Sequence, residues 1–171
     1  MDQLWPPGET GPSRVWTILD GARDEQIYQT VLTSYADRSC LYAGPLPPEL
    51  EIASPYLVKM EFDDRFTWKV IDSGWGNSWG VFLKTDTSLE RLRKHLRQFL
   101  VVKDERGKRL IFRYYDPRVL RVYLPTCTES ELRTIYGPIN EFIMEGENPK
   151  EMLSFRLESG KLKQSTTLLG Q

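Results

Sequence analysis

Gly74-Trp75-Gly76-Asn77-Ser78-Trp79-Gly80 sets two tryptophans in a glycine frame, and the chain then runs on to Arg113-Tyr114-Tyr115-Asp116-Pro117-Arg118-Val119-Leu120. Between and through these phrases the residues spell strand, helix, hairpin, helix. Trp79 to Lys84 reads as a strand. Thr87 and Glu90 form a capping box for a helix whose apolar stripe is Leu89, Leu92, Leu96, Phe99 and Leu100. Leu100–Lys103 and Arg109–Tyr115 read as the arms of an antiparallel hairpin closed by Asp104-Glu105-Arg106-Gly107. Asp116 is placed as an N-cap with Pro117 at the first helical position, which opens a helix through Leu124 that Pro125 ends.

Upstream, Val15 to Leu19 is an apolar, β-rich strand, and Asp24 caps a helix with Ile27, Tyr28, Val31, Leu32 and Tyr35 on one face. Cys40 to Ala43 and Tyr56 to Met60 are further strands, with a short helix from Pro47-Pro48 to Ile52 between them. Phe66 to Ser73 is a helix. Downstream, Thr128 and Glu131 make a second capping box for a helix stopped by Gly137-Pro138, and two strands, Ile139–Met144 and Met152–Leu157, flank the Asn148-Pro149 turn. This order predicts an α/β (α+β) fold: a mixed β-sheet flanked by helices in one compact domain. The domain spans residues 14–160, between a proline-stiffened N-terminal arm over 1–13 and a C-terminal tail over 161–171. Arm and tail are candidates for ordering on binding.

Composition narrows the function. A chain of 171 residues buries roughly 68–70% of its unfolded surface. Its net charge of −1 provides no general attraction for nucleic acid. Cys40 and Cys127 are far apart and outside any CxxC, which suits reduced thiols in a cytoplasmic protein. One histidine and no Cys/His cluster give no metal site, and no P-loop or GxGxxG phrase points to a cofactor. Residues 1–13 lack the basic and apolar regions of a signal peptide, and no run approaches the ~20 apolar residues of a membrane helix.

Against this background each candidate residue has a structural and a functional reading. His95, at the edge of the Leu92/Leu96/Phe99 stripe, is either a hydrogen-bonded boundary residue or the centre of a small hydrolase or transferase with Cys127 or Asp116; the structural reading is preferred. Asp116 is explained as a cap. Arg113, on a strand face with Ile111 and Tyr115, needs a carboxylate or carbonyl partner; an internal network with Asp20, Asp72 or Asp116 is preferred over a ligand site. Trp75 and Trp79 either fill the core or grip a partner. Arg91, Arg93, Lys94 and Arg97 make one helix face basic, solvated or turned to an acidic surface. No catalytic set emerges, and the residues describe a binder.

Several phrases in order resemble one family: Leu19-Asp20-Gly21-Ala22-Arg23, Pro55-Tyr56-Leu57-Val58, the 74–80 loop, His95-Leu96-Arg97-Gln98-Phe99-Leu100, Phe112 through Leu120, and Tyr136-Gly137-Pro138. Together, from about Val15 to about Leu157, they resemble the bacterial type VI secretion adaptors, also called effector chaperones. The resemblance implies a non-enzymatic cytoplasmic protein that binds a toxic effector before export and helps load it onto the VgrG spike protein. It implies no cofactor, nucleic acid or membrane as partner. The partner-binding residues expected on this reading are Trp75, Trp79, Arg97, Arg113 and Arg118, over a structural network of Asp20, His95 and Asp116. An immunity protein that plugs a toxin's active site is a further alternative. Many relatives carry a mostly helical C-terminal lobe that this sequence does not extend into, so that lobe's grip is not carried over.

Overall fold

The computed structural model describes residues 4–5 and 14–170. Its centre is β1 (Arg14–Asp20), in which Trp16 and Ile18 point to one face and Val15 and Leu19 to the other. The period-2 alternation of a strand delivers apolar side chains to both sides, so both faces need cover. The other strands of this sheet are β2 (Arg38–Cys40), β3 (Pro55–Met60), β4 (Gly80–Thr85), β7 (Glu141–Glu145), β8 (Glu151–Glu158) and β9 (Lys161–Leu168). They lie in the order β2-β3-β1-β4-β7-β8-β9. Each pairing is antiparallel, with Ile18 opposite Leu57 on one side and Val81 on the other. The expected class therefore holds in its α+β form, while the sheet, expected to be mixed, is antiparallel at every pairing. The connections from β1 to β2 and from β3 to β4 each pass over one strand, so parallel strands are never neighbours. A separate ribbon pairs β5 (Val101–Lys103) with β6 (Arg109–Ile111).

On the Trp16/Ile18 face the cover is α4 (Leu89–Arg97), α5 (Pro117–Tyr123) and α6 (Glu129–Tyr136), through Leu92, Leu96, Leu120, Leu132 and Ile135. On the opposite face α1 (Glu25–Leu32) and α3 (Arg65–Gly74) pack Ile27, Val31, Phe66 and Val70 against Val58 and Phe82. Each such side chain contributes about 1.5–3 kcal/mol when fully buried. The short α2 (Pro48–Ile52) buries none of its residues. Leu4 belongs to the second core, and Trp5 meets Phe62 edge-on with ring centroids 5.9 Å apart; the rest of the 1–13 arm lies outside the described residues.

The start signals hold at Asp24, which accepts from Gln26 N, at Asp116 with Pro117, and at the Thr128/Glu131 capping box. Other boundaries move for local reasons. The cap of α4 is Ser88, not Thr87: the Ser88 hydroxyl accepts from Arg91 N, and no capping box forms because Arg91 stands at the reciprocal position. β6 stops at Ile111, so Arg113 lies between strand and helix rather than on a strand face with Tyr115. Residues 161–168 are not a tail. They form β9, joined to β8 by a two-residue turn in which Ser159 and Gly160 both take left-handed conformations, φ 50° and 80°. That is the primed turn whose twist suits a tight hairpin. The strand is polar and buries almost nothing, so no hydrophobic alternation announces it.

Gly80 marks the tightest approach in the sheet, since a Cβ there would stand 2.0 Å from the Ile18 carbonyl oxygen. Gly80→Ala must push β1 and β4 apart. Thermal denaturation is expected to show a Tm lowered by roughly 4–12 °C, from about 2–3 kcal/mol of overpacking. Gly107→Ala, at φ 77° with open space around it, should lose about 1 kcal/mol. Equal losses at the two positions would contradict this account of the sheet.

Candidate functional site

The end of the sheet where β1 finishes and β4 begins gathers most of the singled-out residues. Asp20 closes β1 with 1% of its side chain exposed, and a buried carboxylate costs several kcal/mol unless it is compensated. Its Oδ1 accepts from Ala22 N at 3.2 Å, and Arg113 Nη2 donates to its Oδ2. Of the three carboxylates available to Arg113, the fold therefore supplies Asp20. The hydrogen bond to Asp20 raises the Arg113 pKa further above its ordinary value, so the guanidinium stays charged. Arg113 is 41% exposed, an arginine rooted on a buried anchor with its head at the surface.

Asp116 repeats the arrangement. Its Oδ1 accepts from Arg118 N at 2.9 Å, which caps α5, and Arg118 also grips both carboxylate oxygens at 3.0 and 2.7 Å. Burial alone would raise the Asp116 pKa. The Arg118 hydrogen bonds and the charges of Arg118 and Arg113 outweigh it and hold the carboxyl below its ordinary value. Asp116 is buried, while Arg118 is 45% exposed.

A third carboxylate, Glu145 at the end of β7, was not singled out from sequence. It accepts from Gly76 N at 2.5 Å and from the Ser78 hydroxyl at 2.9 Å, and so fixes the glycine–tryptophan loop from beneath. An isolated acid closing the apolar run Phe142-Ile143-Met144 is the signal that could have found it. Trp75, half-buried, donates its indole N–H to the Pro149 carbonyl at 2.7 Å and stacks on Phe82 at 6.1 Å. Arg23 reaches the Asn77 carbonyl at 3.0 Å and Arg121 the Gly146 carbonyl at 3.4 Å. Arg113 Nε and Arg121 Nε are buried without a hydrogen-bond partner among the described residues. The rim thus carries four arginines, Arg23, Arg113, Arg118 and Arg121, over three buried acids.

Two of the five expected binding residues are not part of this rim. Trp79, the residue before β4, is 2% exposed and belongs to the core beneath α3, where its side chain lies against Gly74. Arg97 turns back to the carbonyls of Cys40, Leu41 and Tyr42 at 3.1, 2.9 and 3.0 Å, a clamp on the loop after β2. Without it the Leu41 and Tyr42 carbonyls would have no donor among the described residues, while that of Cys40, the last residue of β2, also accepts from the Ser39 hydroxyl at 3.1 Å.

His95 stands at the other end of the sheet. β4 runs from Gly80 at the rim to Thr85, whose hydroxyl donates to the Pro138 carbonyl at 2.5 Å, and His95 packs against neighbouring Gly137. β4 spans about 16 Å over its five residue steps, and the contacts of His95, to Ile135, Phe99 and Gly137, include no rim residue. Asp116 and His95, offered as a catalytic pair, therefore do not meet. His95 Nε2 lies 2.8 Å from the Ile135 carbonyl, which fixes the proton on that nitrogen, and its ring meets Phe99 edge-on. Burial lowers its pKa, and the Ile135 hydrogen bond only partly opposes this. Burial likewise pushes the Cys127 thiol above its ordinary value, the opposite of an activated nucleophile. Cys40 and Cys127 are free thiols. Among the described residues no helix is long and apolar enough to cross a membrane.

Two measurements check these assignments. Because the folded pKa of His95 lies below the unfolded 6.5, the unfolded chain binds more protons, so His95 subtracts stability as pH falls through 6.5 toward the folded value. Tm should decline over that interval in the wild type and less in His95→Gln, and the single histidine resonance should titrate below 6.5 by NMR. Titration above 6.5 would contradict the buried neutral ring. Asp20→Asn strips the Arg113 pair of its anion and should cost about 2–4 kcal/mol, with Asp20→Asn/Arg113→Gln costing at least about 1 kcal/mol less than the sum of the singles. Additive losses in urea denaturation would mean that the pair does not bridge.

No curated protein and no solved structure matches the chain. A family profile does, described only as a domain of unknown function, DUF4123, over residues 15–134. That range takes in Asp20, the 74–80 loop and the Arg113–Arg118 segment, and it stops short of the 15–157 span of the resemblance drawn from sequence. By this match over most of its length, the chain belongs to the DUF4123 family.

Proposed function

We propose that this protein is a non-catalytic cytoplasmic adaptor that binds a type VI secretion effector and promotes its loading onto the VgrG spike. One observation carries the reading. The phrases through which the sequence resembles that adaptor family, Leu19 to Arg23, the 74–80 loop and Phe112 to Leu120, meet at one rim of the sheet. There Trp75, Arg113 and Arg118 present partly exposed heads, two of them on buried carboxylates.

The chemistry suits gripping a protein. Trp and Arg dominate interface energetics. An arginine already held by a buried carboxylate has little rotamer freedom left to lose on binding, and the salt bridge uses only part of its five N–H donors. The Glu145 contacts to Gly76 and Ser78 do the same for the loop that carries Trp75.

Tagged protein co-expressed with the neighbouring effector and VgrG should recover the effector. Trp75→Ala and Arg118→Ala, each first shown to be folded by its thermal transition, should weaken recovery by about 30-fold, the effect of a 2 kcal/mol hot spot. His95→Gln, at the far end of the sheet, should recover it as wild type does. A wild type that recovers neither effector nor VgrG contradicts the adaptor reading.

A further inference from the structure

The outer edge of β9 has no counterpart in the function described so far. β9 pairs with β8 along its full length, from Glu158 opposite Lys161 to Glu151 opposite Leu168. It ends the sheet, with no strand beyond it among the described residues. In a two-residue hairpin the residues flanking the turn form a hydrogen-bonded pair, and such pairs then alternate. Lys161, Lys163, Ser165 and Thr167 therefore bond inward to β8, a phase that Leu169 N donating to the Lys150 carbonyl at 2.8 Å continues. The N–H and C=O groups of Leu162, Gln164, Thr166 and Leu168 point outward, a row of backbone donors and acceptors unanswered among the described residues.

Sheet edges are ordinarily protected by shortness, proline, bulges or charge. The opposite edge, β2, has only three residues. β9 has eight in unbroken register, no proline, and no charge from Gln164 to Leu168. Packing does not account for its regularity, because seven of its eight residues are exposed and Leu168 is 73% exposed. A long, regular, polar edge that the core does not need is a template for strand addition.

Charge selects the strand that fits. Lys163 stands directly opposite Arg156, whose charge is already taken by Glu141, so Lys163 itself has no ion pair among the described residues. On the same face, Glu141 is engaged by Arg156 at 2.8 Å and by Ser154, and Glu158 stands opposite Lys161. These residues line one concave polar surface with Met152, Ser165 and Thr167. A carboxylate arriving beside Lys163 gives that lysine the ion-pair partner it lacks among the described residues, whereas an arriving cation meets Lys161 and Lys163 as like charges.

We infer that β9 is a docking edge that takes an extended acidic segment of a partner protein as an eighth, antiparallel strand of the sheet, with carboxylates at the alternate positions facing Lys161 and Lys163. That the partner is an export cargo rests on the adaptor reading; the edge and its charge preference do not.

The probe is a peptide of about ten residues alternating Thr and Glu, with a Thr/Lys peptide for comparison, each followed by fluorescence anisotropy against the full chain at low salt. The Thr/Glu peptide should bind at least about fivefold more tightly, the worth of roughly one cross-strand charge contact. Lys163→Glu should reverse that preference. Thr166→Pro removes an outward N–H without touching the β8 ladder, so the thermal transition should stay while peptide binding is lost. Equal binding of both peptides, binding of neither, or full binding by folded Thr166→Pro overturns the inference. So does sedimentation showing a wild-type dimer that Thr166→Pro makes monomeric, since a second copy would then occupy the edge. Recovery of the effector separates the two claims. Thr166→Pro that still recovers it overturns the edge as the cargo contact and leaves the adaptor role standing. A wild type that binds the Thr/Glu peptide but recovers no effector overturns the adaptor role and leaves the edge standing.

Discussion

A carboxylate buried at the end of the central strand sets the terms for one whole end of this molecule. β1 is covered on both faces, so Asp20 has almost no water, and without compensation its charge would cost several kcal/mol. Total stabilities are about 5–15 kcal/mol, so that cost would be a large share of the whole. The compensation comes from Arg113, 93 residues away in sequence, which ties the segment before α5 to the tip of β1. Once Arg113 is held there, Asp116 is positioned to cap α5 and to grip Arg118. Glu145 completes the arrangement by holding the backbone of the glycine–tryptophan loop.

The consequence is a division between the two ends of the sheet. At the Asp20 end, acids lie beneath and arginines and an indole lie above, so charge and aromatic area reach the surface in fixed positions. At the Thr85 end, His95 is a neutral wedge between Phe99 and Gly137, its proton committed to a backbone carbonyl. A lone histidine invites an acid–base reading, and here its surroundings explain it as packing. The same logic removes Trp79 and Arg97 from the surface set: one fills the core, and the other satisfies three carbonyls of a loop.

What sequence made legible was whatever has a local cause. The caps at Asp24, Asp116 and Thr128, the proline start of α5 and the apolar runs of β1 and β4 are written within a few residues, and they stand within a residue of where they were expected. That Arg113 required an acceptor, with an aspartate preferred, was legible too. Which carboxylate was not, because the choice depends on a crossover that brings α5 to the tip of β1. Glu145 was silent for the same reason, as its partners are 69 and 67 residues away. β9 was missed because its stability resides in the backbone ladder and the Ser159-Gly160 turn, while its side chains are polar and exposed. Ser-Gly between two strand-like runs was the available sign.

The central claim is that the Asp20 end of the sheet is the face a partner covers. Hydrogen–deuterium exchange of the protein alone and in complex with its effector tests it most directly. The account predicts slowed exchange in residues 74–80 and 113–121, with the segment around His95 and Gly137 unchanged. Protection confined to the His95 end, with the 74–80 loop exchanging as in the free protein, would contradict it.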